Sequence, residues 1–171
     1  LDPTNPIFTN ASSVQYFGAI NTWDVANVTD MSGLFQDKTT FNNSIENWNV
    51  SNVTNMSNMF KNATSFANSL VLWNVSNVTN MSSMFEGATN FNGFLDNWNT
   101  INVTDMSGMF MDAAAFNSNI VRWETSNVTT MNSMFKNATS FNKQIKQDVI
   151  VTYYDEETKS LNSDANSGFR R

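Results

Sequence analysis

Residues 73–97 read WNVSNVTNMSSMFEGATNFNGFLDN, from Trp73 to Asn97, and the same sentence is written five times in this chain. Trp recurs at 23, 48, 73, 98 and 123, Met at 31, 56, 81, 106 and 131, and Phe at 35, 60, 85, 110 and 135. A second Phe follows at 41, 66, 91, 116 and 141, and Asn-Val-Thr starts at Asn27, Asn52, Asn77, Asn102 and Asn127. A fixed period of this length marks a stacked repeat, because one copy is too small to bury its own apolar face. Residues 1–22 are expected to cap the array, 23–147 to form five coils, and 148–171 to supply a closing strand and a polar tail.

Within one copy Val78, Met81, Met84, Phe85 and Ala88 make an apolar stripe at helical spacing. Asn77 or Thr79 stands where a short side-chain oxygen would cap the first turn. Phe91, Leu95, Trp98 and Thr100 then suggest an extended stretch, with Trp98 and Thr100 on one side by alternation. One short helix over about 78–87 and one short strand per 25 residues predict an α/β solenoid of leucine-rich-repeat type. The Trp, Met and Phe columns are expected to be core, each stacking on its counterpart roughly 5 Å away. A carbohydrate platform is the functional rival for the Trp column.

The run from Trp through Asn-Val-Thr and Met to the two Phe resembles the repeat of BspA-like leucine-rich-repeat surface proteins. It is closer still to the variant found in surface lipoproteins of mycoplasmas and secreted proteins of marine microbes. The likeness covers Tyr16 to about Gln147. It implies a cell-surface or extracellular adhesion module and brings no catalytic residues with it. Lys38 departs from the column of Ala63, Ala88, Ala113 and Ala138, so a looser first coil is expected. Asp148 replaces a sixth Trp and marks the end of the array. Beyond it, Val149 to Tyr154 has strand composition and is expected to cap the last coil.

Composition narrows the function classes. The chain is 40% hydrophobic and 14% charged with a net charge of −6, and it has no basic cluster, which speaks against nucleic acid. It has no Cys and no His, so disulfides, thiolate sites and a Ser-His-Asp triad are excluded. No run of about 18 apolar residues is present, so no transmembrane segment is expected. The carboxylates Asp155, Glu156 and Glu157 read as a solvated run, and Asp24, Asp30 and Asp105 offer only a weak calcium pattern. Neither a cofactor nor an enzymatic activity is expected.

Columns that vary within an otherwise fixed frame mark side chains released from the core. Three lie side by side: Asn21, Glu46, Val71, Asp96 and Val121; Thr22, Asn47, Leu72, Asn97 and Arg122; and Asp24, Asn49, Asn74, Asn99 and Glu124. Stacked along the strand face, they would present an amide-rich, mildly acidic strip to a protein or glycan partner. The alternative is a building block of a surface filament, stalk or layer, joining copies of itself end to end or through strand contacts. Sequons are dense, and the recurring Asn-Val-Thr column is assigned to caps and turns, since stacked glycans would crowd. Asn10, Asn42 and Asn62 are the better candidate acceptors.

Overall fold

The chain forms a stack of 25-residue coils built almost entirely from reverse turns. The structure is a computed structural model that describes residues 18–143, Tyr153–Asp155 and Ser160–Asn162. Residues 1–17 of the expected 1–22 cap and most of the expected closing strand and tail lie outside the described residues. Tyr153–Asp155 (β1) pairs antiparallel with Ser160–Asn162 (β2), Tyr154 opposite Leu161.

The α/β solenoid expected from the sequence is not what forms. Among the described residues there is no α-helix, and the coils carry only a 3₁₀ turn at Ile20–Thr22 and isolated bridges. In the third coil the N–H of Val78 donates to Val75, Met84 to Met81, Glu86 to Ser83, Ala88 to Phe85, Phe91 to Ala88 and Trp98 to Leu95. Each bond closes a four-residue turn. Val75, Val78, Met81, Met84, Phe85, Ala88, Phe91, Leu95 and Trp98 are all buried. The stripe spaced by three residues is therefore a turn signature: the first and last residues of most turns point inward, and the pair between them faces out.

Two backbone positions per coil make a helix impossible. Gly33, Asn58, Ser83, Gly108 and Ser133 share a left-handed φ between 53° and 63°. Four residues on, Asp37, Asn62, Gly87, Asp112 and Asn137 have φ between 59° and 68°. Left-handed backbone suits Gly and, among the rest, short polar side chains, which is what these columns hold. With this geometry the N–H groups of Met81, Ser83, Phe85 and Gly87 all reach the next coil, donating to Asp105, Ser107, Met109 and Met111 at 2.8–2.9 Å. The expected strand fails too. The turn from Leu95 to Trp98 interrupts it, and strand-type pairing between neighbouring coils among the described residues is limited to single-residue parallel bridges along Asp30, Asn55, Asn80, Asp105 and Thr130.

The core assignment stands. Phe35, Phe60, Phe85, Phe110 and Phe135 form a column with ring centroids 5.3–5.6 Å apart. Each also stacks within its own coil, Phe85 on Phe91 at 3.9 Å. Trp48, Trp73, Trp98 and Trp123 are buried, so they are structural and not a sugar platform. Each of these indoles also donates its Nε1–H to a backbone carbonyl of the previous coil: Trp48 to Ile20, Trp73 to Ile45, Trp98 to Leu70 and Trp123 to Leu95. A buried indole N–H needs such a partner. In the first coil Trp23, Leu34 and Lys38 are only half-buried, whereas their counterparts in the next coil, Trp48, Met59 and Ala63, are buried.

Candidate functional site

The variable columns occupy a corner where each coil closes. Glu46–Asn47, Val71–Leu72, Asp96–Asn97 and Val121–Arg122 are the outward pairs of the turns Ile45–Trp48, Leu70–Trp73, Leu95–Trp98 and Ile120–Trp123. In the first three of these turns the carbonyl that starts the turn accepts two bonds. Leu70 takes the backbone N–H of Trp73 and the indole N–H of Trp98, both at 3.0 Å. Ile45 and Leu95 are used the same way. These three turns are thus fixed by buried side chains of the next coil while their tips stay in solvent. Fixed backbone with free tips is the arrangement that lets a surface bind without first being ordered.

Asn47, Leu72, Asn97 and Arg122 are exposed, and Glu46, Val71 and Asp96 are half-buried. Beside them Asn49, Asn74 and Asn99 are exposed, each accepting on Oδ1 the N–H two residues on, at 3.1–3.2 Å. This local turn occupies the side-chain carbonyl, so the NH₂ is what these residues offer a ligand. The three expected columns do lie together, on a ridge of turns and not on a strand face.

Sequence reading missed Phe94. It stands in the column of Ser44, Ser69 and Asn119, immediately before the corner turn, and is 66% exposed. Its signal was an aromatic residue in an otherwise polar column. The described residues hold four exposed large apolar side chains, Leu72, Phe94, Ile101 and Val121, and all sit on or beside this ridge.

The remaining polar columns are exposed but spend their hydrogen bonds on the stack's own backbone. Asn52, Asn77, Asn102 and Asn127 donate their amides to carbonyls of the preceding coil at 2.7–2.8 Å. Asn77 is therefore a side-chain donor between coils, not a helix cap. Thr54, Thr79, Thr104 and Thr129 donate their hydroxyls to the preceding Thr carbonyl at 3.0–3.2 Å. Of the candidate glycan acceptors, Asn10 lies outside the described residues. Asn62 donates its amide to Asp37 at 2.8 Å, and Asn42 uses its Oδ1 to accept the N–H of Ala67 and the amide of Asn68.

Electrostatics are sparse. Lys61 pairs with Glu86 of the next coil at 3.0 Å, away from the ridge. The Asp30 carboxyl is held below the usual carboxylate range by the Ser32 hydroxyl first, then by the Ser32 backbone N–H and the Asn55 amide, against a small desolvation. Asp30 and Asp105 stand in one column separated by Asn55 and Asn80, and among the described residues no three acidic groups come together to hold a metal. The calcium pattern with Asp24 is not assembled.

These observations define a non-helical repeat protein of stacked coils. A family profile described as Mycoplasma protein of unknown function, DUF285, matches residues 3–96 and again residues 67–167. The chain belongs to the DUF285 family. No curated protein matches it. No helix among the described residues is long and apolar enough to cross a membrane.

Proposed function

We propose that the chain is a non-catalytic binding or adhesion module of the cell surface or extracellular space, and that its ligand-facing part is the corner ridge. One observation carries this reading: within an otherwise repeated frame, the ridge columns vary freely, and their side chains stand on turns locked by the Trp indoles. Repeat stacks offer such extended surfaces to partners. The likeness of the repeat to that of BspA-like surface proteins supports the same reading, as does a sequence without His or Cys.

The test is adherence of purified chain to cells or surface extract of its source. Glu46→Lys, Asn74→Ala and Asp96→Lys are introduced together, with the unfolding midpoint as a control for folding. Loss of adherence at an unchanged midpoint is the expected result. Unchanged adherence would remove the ridge as the site.

A further inference from the structure

The partner chemistry can be narrowed beyond "protein or glycan", on the footing that the ridge is the binding surface. We infer that the ridge takes a polypeptide partner, which inserts apolar side chains against Leu72 and Phe94 and places Lys or Arg beside Glu46 and Asp96.

The argument starts from what is exposed. Leu72 is 64% exposed and Phe94 66%, in consecutive coils, with half-buried Val71 next to Leu72 and Val121 one coil beyond Phe94. A cluster of exposed apolar side chains rimmed by polar groups is the mark of a protein-binding surface. Within a column the coils follow one another at the spacing of paired strands, about 5 Å. Leu72, Phe94 and Val121 therefore fall within a few residues' reach of a single bound segment.

Sugar recognition asks for something else, namely exposed indole or phenol faces beside hydrogen-bonding groups. Four of the five Trp are buried and donate their N–H groups inward. The amides of Asn52, Asn77, Asn102 and Asn127 and the hydroxyls of the Thr column serve the backbone of the stack. What stays free on the ridge is aliphatic and aromatic bulk with amides at its margin.

Charge selects among polypeptides. Glu46 flanks the apolar cluster at one end, Asp96 sits between Val71 and Val121 in one column, and Asp24 stands in the adjacent column. Arg122 is the ridge's cation, at the far end. A second copy of this chain would bring another acidic ridge and another net charge of −6. Like charges brought together at an interface oppose association, whereas a basic segment is steered toward it.

The experiment uses a displayed library of random peptides and a glycan array as the two probes. Selection is on the intact chain, with counter-selection on Leu72→Ser/Phe94→Ser, whose thermal midpoint is checked to match. The expected result is a set of peptides rich in Lys, Arg and large apolar residues. Their binding should weaken about tenfold or more in the double variant, as removal of central anchors does. It should also weaken in Glu46→Lys/Asp96→Lys and with added salt. Peptides lost only in Glu46→Lys/Asp96→Lys, and indifferent to Leu72→Ser/Phe94→Ser, would overturn apolar anchoring while leaving the ridge as the site. Glycans that bind through the ridge would overturn the polypeptide assignment, and so would self-association of the intact chain abolished by Leu72→Ser/Phe94→Ser. Indifference of every ligand to both variants would overturn the ridge itself.

Discussion

The indole N–H of Trp98 donates to the carbonyl oxygen of Leu70 at 3.0 Å, across one coil boundary. That same oxygen closes the corner turn by accepting the backbone N–H of Trp73. Core and corner ridge therefore share one atom. Trp98→Phe keeps an aromatic ring but removes the donor and part of the buried volume. The expected cost is about 1–3 kcal/mol in equilibrium denaturation. Faster hydrogen exchange at the Trp73 amide should accompany it, because the turn beneath Val71 and Leu72 loses its second bond.

Phe85 carries the centre of the aromatic column. It is buried, and its ring meets Phe60, Phe91, Trp98 and Phe110. Phe85→Ala should cost roughly 3–5 kcal/mol, the range for a deleted core aromatic. Phe135, in the fifth copy, stacks on Phe110, Phe116 and Phe141, and the repeat pattern breaks after it at Asp148. Its replacement by Ala should cost less. Denaturation of the two variants measures the gradient, and equal small losses would show that stability is not shared between neighbouring coils.

Acid should act on Asp30. Its folded-state carboxyl titrates below its ordinary value because Ser32 and Asn55 hydrogen-bond the charged form. A depressed carboxylate stabilises the fold above its unfolded value, near about 4, and loses that contribution as pH falls through the folded value. Asp30→Asn supplies the amide already found at Asn55 and Asn80 in this column. Between about pH 5 and pH 2 the variant's stability should fall less steeply than that of the parent chain. Parallel curves would mean that Asp30 contributes nothing to the acid limb.

Much of this architecture is legible in the residues, and the misreading has a specific cause. Buried residues three apart occur both on a helix and at the ends of successive reverse turns, so Val78, Met81 and Met84 cannot separate the two. The columns through Ser83 and Gly87 can: one holds only Gly, Asn and Ser, the other only Asp, Asn and Gly, the residues that accept a left-handed backbone. The inward Trp was legible because Val50 and Val75 share its face and are buried with it. The ridge columns were legible as variation within a fixed frame. Phe94 was harder to read: its polar column of Ser44, Ser69 and Asn119 marks it as outward, but a Phe among so many core Phe reads first as core. Nor was the inter-coil role of Asn77, since an Asn before a Val-Thr pair reads equally as a cap, a turn former or a glycan acceptor.

Ser83 offers the most direct test of the turn-built stack on which the ridge stands. Its φ is 53°, its backbone N–H reaches Ser107 at 2.8 Å, and Gly33 and Gly108 hold the same column. Ser83→Gly and Ser83→Val are compared by equilibrium denaturation. In a left-handed turn Gly relieves strain of about 1–2 kcal/mol, whereas a β-branched side chain adds to it. The Gly variant should therefore be at least about 2 kcal/mol more stable than the Val variant. In a helix the order reverses, since Gly there is worse than Val by a few tenths of a kcal/mol. A Val variant as stable as the Gly variant, or more so, would contradict the stack of turns and with it the placement of the ridge.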